Sequence, residues 1–586
     1  MGVSWPRVGA DARIDVGLLL EGTYPFVSGG VSSWIHEIVT GLPELSFGIV
    51  FLGGNAASTG EIKYRRPPNL VHLEVHHLMD PASAGPPPPV ASSRSRSWWS
   101  TWSRSWSRSW SGSWRGALQP LLGGPGRGFD GGGDGPGARA RVRPLARLHQ
   151  VMRDRAAAIP ADLVAELGAL DGPDGLALDD FLAGDAAWQL FCETYALDCP
   201  RASFIDFFWT TRIMLGPLFA LARIARQTPS FRVLHAVSTG YAGYLGALLH
   251  EQRGRPLVLT EHGIYTKERK IDLAQAAWIR DAAPTSAAGR WAADPGGAGS
   301  GAEPGPLRQM WIRFFEALGR IAYAAADPIV SLYEGNRLRQ IADGAAGART
   351  RVIANGIDIA RFSAPRSGLV EGPAPERALT PPPVIGLIGR VVPIKDIKTF
   401  IRAVHSVLAR LPEAEGWIVG PEDEDPRYAR ECRALVDSLG LGASLRFTGF
   451  QRAEDVLPRL GVLVVSSISE ALPLVILEAF AAGVPVVSTD VGACRALVEG
   501  SPDDPADAAL GRAGAVTHIA SPDELGRAVV ALLGDPAAWR RARAAGWARV
   551  NASYARDLMF TAYRGVYRAA LEREEPAHGR NWLRAS

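Results

Sequence analysis

The run from Leu463 to Ser488, LVVSSISEALPLVILEAFAAGVPVVS, constrains the chain most. Leu463–Ser466 is a short apolar run of β type, and Pro485–Ser488 is another. Between them Leu474, Ile476, Leu477, Ala479 and Phe480 predict a mostly apolar helix that stops at Gly483. Pro473 falls at the expected first helical position, where its missing N–H is harmless. Leu472 before it cannot cap. The N–H groups of Leu474 and Val475 are therefore open to an anion, with the helix dipole behind them. Glu470 lies in the loop ahead of that helix start. Glu478 lies inside the helix, its side chain leaning back toward the same end.

The same alternation recurs along the chain. Ile14–Leu20, Phe47–Leu52, Leu70–Val75, Arg232–Val237, Pro256–Thr260 and Pro328–Leu332 read as strands of a first domain. Val384–Ile388, Gly416–Val419 and Leu445–Thr448 read as strands of a second. Helices are expected at 161–170, 179–197, 204–224, 307–326, 399–411, 427–439 and 558–572. Alternating βα units predict a parallel sheet with helices on both faces and ligands at the carboxyl ends of the strands.

At 586 residues the chain is too long for one core. The expected layout is an N-terminal domain over 1–355, a linker over 356–383, a C-terminal domain over 384–557 and a returning helix with tail over 558–586. Residues 81–147 change character: a run of four prolines at 86–89, Ser-Arg-Ser-Trp repeats, then a glycine-rich stretch. Without a usable period this segment reads as a disordered insert. Residues 281–306 read as a mobile loop. A formal net charge of +3 gives no case for a nucleic-acid partner. Four cysteines without a CxxC pair indicate neither a zinc site nor a disulfide framework, which fits a reducing cytoplasm. The apolar run at Ile14–Leu20 is too short for a membrane span, and no other run is long enough, so a soluble protein is expected.

Two acids, Glu470 and Glu478, with seven residues between them and astride a phosphate-ready helix start, resemble the E-x7-E signature of retaining, nucleotide-sugar-dependent glycosyltransferases. That family usually has Gly after the first Glu; here it is Ala471. Arg351-Val-Ile-Ala-Asn-Gly-Ile-Asp358 resembles the family's crossing between domains. Glu21-Gly-Thr-Tyr-Pro through Gly29-Gly-Val-Ser-Ser-Trp34, and Glu261-His-Gly-Ile-Tyr265 with Glu268-Arg269, are similar to the branch that builds Pel-type bacterial exopolysaccharide. The resemblance covers residues 14–80 and 200–570.

It implies an α/β fold of GT-B type: two Rossmann-like domains facing across a cleft, the N-terminal one enlarged and carrying the insert. It implies a retaining glycosyltransferase that moves a hexose or hexosamine from a nucleotide sugar, a UDP-sugar such as UDP-glucose, to a growing exopolysaccharide. Arg390 and Lys395 fall where the family keeps its diphosphate-binding cations. A forked guanidinium and a compact ammonium suit a diphosphate, although a solvated basic loop is the plain alternative. Gly29 and Gly30, with the N–H groups of Leu474 and Val475, would add donors to the phosphates. Glu478 would accept from the ribose hydroxyls. Glu470 would contact the transferred sugar, and His262 would support its positive charge. Two cations and a helix start can replace a metal, so no metal and no cofactor are expected. The implied partners are the nucleotide sugar, a glycan acceptor and a membrane-embedded synthase and export complex on the cytoplasmic face of the inner membrane. Two rivals remain: a UDP-sugar 2-epimerase, which needs no acceptor, and a non-catalytic sugar-nucleotide sensor in a synthase complex, which could lose His262 and Glu470.

Overall fold

The computed structural model describes residues 13–54, 59–78, 136–276, 278–279, 304–363, 380–501 and 504–573. The chain forms two compact units. The first takes residues up to Val330, Arg339–Arg351 and the chain from Val566 onward; the second takes Ser331–Leu338 and Val352–Gly565.

The sheet of the first unit is built from β1 (Ile14–Glu21), β2 (Phe47–Gly53), β3 (Leu70–His77), β4 (Phe231–Ala236), β5 (Leu257–Glu261), β6 (Ile329–Ser331) and β7 (Thr350–Val352). Their order is β3-β2-β1-β4-β5-β6-β7. β1 runs parallel to both β2 and β4, which places the reversal of strand order between β1 and β4. A near-continuous apolar strand is what a two-sided sheet demands, and Leu18, Leu19 and Leu20 are fully buried. Each such side chain stabilises the fold by about 1.5–3 kcal/mol relative to exposure.

The second unit has β8 (Val384–Ile388), β9 (Glu415–Val419), β10 (Leu445–Gly449), β11 (Val462–Val465), β12 (Val486–Thr489) and β13 (Gly514–Thr517). The order is β10-β9-β8-β11-β12-β13, again with parallel neighbours. Its reversal lies between β8 and β11. Both units are therefore parallel-sheet, Rossmann-like α/β folds, and in each the crevice at the strand reversal is where a ligand can meet backbone N–H groups.

The structure corrects several boundaries. Pro136–Arg153 is a helix with Val142, Leu145 and Leu148 buried in the first unit's core, so residues 136–147 are not part of an insert. Arg- and Gly-rich composition hid an apolar i, i+3 spacing. The remainder of the expected insert lies outside the described residues, as does nearly all of the loop expected at 281–306. The expected linker begins with a helix, Ile359–Ser363, that buries Phe362; residues 364–379 of it lie outside the described residues. The helix expected over 179–197 is two, Leu178–Ala183 and Asp185–Asp198, broken where Gly184 is extended at ψ 150°. β7, β13 and the helices Tyr265–Gln275, Glu334–Ala342, Pro522–Gly534 and Pro536–Ser553 were not expected. The closing helix spans Arg556–Arg573. Its Tyr567 hydroxyl pairs with Nδ1 of His235 at 2.7 Å, and Arg573 pairs with Asp327 at 2.8 Å, both within the first unit.

Among the described residues one helix, Phe204–Gln227, is long and apolar enough to cross a membrane by length and composition, contrary to the expectation of none. Half of its most apolar window is buried inside the protein.

Candidate functional site

In the second unit Arg390, Lys395 and Glu470 lie in the loops that leave the sheet at the β8–β11 reversal, and Leu474, Val475 and Glu478 lie in the helix that follows β11. β8 is followed by Gly389, whose N–H donates to the Val419 carbonyl of β9 at 2.9 Å. The chain then makes a 3-10 turn over Pro393–Lys395 and enters the helix Ile397–Leu408. Asp396 turns the corner in the left-handed region, φ 44°, and its side chain accepts from the Thr399 N–H. Asp tolerates that geometry because its short carboxylate can cap the helix it introduces. This tight corner places Lys395.

β11 supplies the other wall. The Ser466 hydroxyl donates to the carbonyls of Lys395 and Asp396 at 2.8 and 3.1 Å, tying the two strand exits together. Glu470 follows. Its Oε1 accepts from the Ser467 hydroxyl at 2.7 Å and from the Lys395 ammonium. The Thr489 hydroxyl holds the Ser467 carbonyl at 2.6 Å from β12. Gly492 closes the loop at φ +57°, where a Cβ would stand 2.3 Å from the Glu470 carbonyl oxygen. Glycine is required there by both conformation and space.

The helix Leu474–Ala481 starts one residue later than expected: Pro473 is its N-cap, extended at ψ 111°. A proline N-cap offers no side-chain acceptor, and the first turn carries no acid. The N-terminal end thus keeps its favourable field for an anion. Glu478 lies about one turn further on, half-buried. Arg390 does not stand ready alone. Its Nη1 donates to both carboxylate oxygens of Glu424 at 2.6 Å, and the guanidinium side chain is 54% exposed. Neither Glu424 nor Ser467 was singled out from the sequence; the acidic loop Glu422–Asp425 after β9 was the only signal.

In the first unit, Gly29 and Gly30 sit at the start of the helix Gly30–Gly41, exposed, with open space where a Cβ would be. That start also lacks a side-chain cap and an acidic first turn. His262 leaves β5, and Trp34 of the Gly30 helix meets it edge-on at 4.5 Å between ring centroids. The structure therefore brings His262 and the helix that follows the glycine pair together. Nε2 of His262 is buried with no hydrogen-bond partner among the described residues. Burial pulls the His262 pKa down to about 3, so the ring is neutral at physiological pH.

Sequence reading missed the carboxylates around this point. Glu261 is fully buried and accepts from Tyr323 at 2.6 Å, Gln340 at 3.0 Å and Thr239 at 3.2 Å. Glu21 accepts from the Tyr241 N–H and the Tyr265 hydroxyl, both at 2.9 Å. Burial raises the pKa of each, against the hydrogen bonds that lower it. Among the described residues no group of three His, Cys, Asp or Glu is placed to hold a metal ion.

The model of the domain of unknown function DUF3492 matches residues 14–109 and 133–348, more than half of the chain. This chain belongs to the DUF3492 family. Its match takes in residues 81–109 and 133–199, which the sequence resemblance had left out. Residues 382–535 of this DUF3492 protein match the Glycosyl transferases group 1 model. Its curated relatives include the lipopolysaccharide core biosynthesis glycosyltransferase LpsE of Rhizobium meliloti, 40% identical over 110 residues, 18% of this chain and 29% of that one. They also include the D-inositol 3-phosphate glycosyltransferase of Streptomyces avermitilis, 29% identical over 260 residues, 42% of this chain and 50% of that one. The chain thus spans half or less of the length of these relatives. Among solved structures, sucrose-phosphate synthase from Thermosynechococcus elongatus matches 95% of this chain and all of its own at a TM-score of 0.51 and 15% identity. That likeness shows the fold, which is GT-B.

Proposed function

We propose that this chain is a retaining glycosyltransferase that moves a hexose or hexosamine from a UDP-sugar to a growing exopolysaccharide of Pel type. The observation that carries the reading is the meeting of Lys395, Glu470 and an uncapped helix start at one strand reversal. Arg390 and Lys395 bind the diphosphate and stabilise the charge that grows on it as the sugar leaves. The Leu474 and Val475 N–H groups add to this; Gly29 and Gly30 are the first unit's candidate donors to the phosphates. Glu470 orients the sugar through its hydroxyls and Glu478 holds the ribose. His262 is the first unit's candidate for supporting the sugar's positive charge, through its neutral ring nitrogen and its backbone carbonyl. The leaving phosphate helps deprotonate the acceptor, which gives substitution on the same face.

Two cations and a helix start supply enough positive field that no divalent metal is used. The enzyme works in the cytoplasm, with a membrane-embedded synthase and export complex as its partner. The relatives named for lipopolysaccharide core and inositol phosphate glycosylation fit a donor-binding second unit of this kind.

A thermal-shift panel of UDP-, GDP- and ADP-sugars in EDTA, followed by transfer to a glycan acceptor, tests the reading. A UDP-sugar is expected to raise the melting temperature without metal and to be consumed only when acceptor is present. Acceptor-independent conversion of the donor to its 2-epimer would replace the reading with the epimerase, and binding without turnover would replace it with the sensor.

A further inference from the structure

Three strand exits of the first unit carry chemistry-bearing residues: β1 leads to Gly29 and Gly30, β4 to the start of the helix Tyr241–Arg253, and β5 to His262. One carboxylate touches or reaches all three. Glu21 is the last residue of β1. Its Oε2 accepts from the backbone N–H of Tyr241 at 2.9 Å, and the Ala242 N–H also lies on it. That helix has no cap of its own, because Gly240 stands at the N-cap position without a side chain. A carboxylate there satisfies orphan donors and meets the positive end of the dipole. The other oxygen, Oε1, accepts from the Tyr265 hydroxyl at 2.9 Å.

Tyr265 is in turn held at its backbone, where its N–H donates to Glu261 at 3.4 Å, and the Arg269 guanidinium lies 5.0 Å from its ring centroid. Between these two anchored ends run His262 and Gly263. The packing is close. A Cβ on Gly240 would stand 2.5 Å from the Tyr265 hydroxyl oxygen and 2.7 Å from Oε2 of Glu21.

We propose that Glu21 is a positioning residue: it locks the exits of β1, β4 and β5 into one block and thereby fixes His262 relative to the glycine pair. Its bearing on turnover rests on the glycosyltransferase reading; the locking does not. Glu21→Gln keeps one acceptor oxygen and loses the charge that meets the helix dipole, and its amide N–H can be satisfied only if the Tyr265 hydroxyl turns to accept, so both links weaken. Tyr265→Phe removes one of the two links alone.

Two measurements on the full chain test this. The first is amide hydrogen exchange. Glu21→Gln is expected to speed exchange about tenfold in residues 22–30, 240–244 and 262–266 together, with the strands β1, β4 and β5 unchanged. Acceleration in one of the three segments alone, or spread evenly over the unit, overturns the proposal. The second is turnover of UDP-glucose. Both variants should lose about tenfold in kcat, with any rise in KM for the donor smaller than that loss, because Arg390, Lys395 and the Leu474 helix start in the second unit are untouched while Gly29 and Gly30 lie in a loosened segment. Wild-type kcat in both variants overturns the proposal. If the wild type neither binds nor consumes UDP-glucose, the glycosyltransferase reading fails, and the exchange pattern still decides whether Glu21 locks the three exits.

Discussion

The ammonium of Lys395 donates to Oε1 of Glu470, the same oxygen that accepts the Ser467 hydroxyl. A cation assigned to the donor phosphates and an acid assigned to the donor sugar are thus one hydrogen-bonded pair. Lys395 shields the charge of Glu470, and Glu470 aims the ammonium. Lys395 is 23% exposed and Glu470 13%, so solvent screens the pair only in part.

Loss of either member should therefore disturb both ends of the donor. Lys395→Ala and Glu470→Gln are each expected to lower kcat/KM for the UDP-sugar by about 2–4 kcal/mol of transition-state stabilisation. The double variant should fall well short of the sum, because each single change already dismantles the pair. Kinetics on the four proteins of this cycle measure the coupling. Additive losses would show that the contact has no part in turnover.

Arg390 faces a different constraint. Its guanidinium is spread over both oxygens of Glu424 but stands 54% exposed, so that pair is worth about 1 kcal/mol or less. A diphosphate, with more charge and a forked geometry, can displace Glu424. Glu424→Gln is expected to tighten UDP binding by about two- to fivefold. Arg390→Ala is expected to weaken it and to erase any effect of the Glu424 change. Calorimetric titration with UDP on the three variants decides this. Weaker binding in Glu424→Gln would mean that Glu424 aims Arg390 rather than competing for it.

Buried histidines predict how the first unit responds to acid. His149 lies in the core of the helix Pro136–Arg153, beside Arg153 and 4.0 Å from Asp198. Burial, with the Arg153 charge second, pulls its pKa down to about 4. The folded state thus refuses a proton that the unfolded chain takes up near pH 6.5. Stability from this group is complete above pH 6.5 and is lost as pH falls from there toward 4, by about 1.4 kcal/mol per unit. His149→Gln should flatten the fall in melting temperature between pH 7 and pH 5. An unchanged slope would mean that His149 binds its proton equally in both states.

The second unit was more legible in the sequence than the first, for physical reasons. Val384–Ile388 and the apolar runs ending at Val465 and Ser488 are short, buried on two faces and bounded by polar loops, so pattern alone finds them. β13 escaped because it is an edge strand that buries only Thr517 fully. The helix Tyr265–Gln275 escaped because Lys267, Glu268, Arg269, Lys270 and Asp272 give it no apolar stripe. The motifs marked Glu470 and His262, but not what holds them. Glu424 stands 34 residues from Arg390, and Glu21 stands 244 residues from Tyr265. Pairings of that kind are set by which strands become neighbours, and no local pattern carries them.

The edge of the former insert can be placed by deletion. The DUF3492 match leaves out residues 110–132, and the first unit's core resumes at the helix Pro136–Arg153. Residues 110–132 hold eight glycines against seven apolar residues, two of them tryptophan, so their composition argues for little core burial against roughly 1–2 kcal/mol per residue of backbone entropy. Rejoining the ends changes the loop-closure term only slowly with length. Removing 110–132 should therefore leave both the melting temperature and UDP affinity unchanged. Removing 136–153 should not: Leu145 and Leu148 are fully buried, and losing large buried side chains costs about 2–5 kcal/mol each. Thermal melts and UDP titrations on the two deletions give the answer. A melting temperature lowered by many degrees in the first deletion would make those residues part of the core, and loss of UDP binding would place them at the donor site.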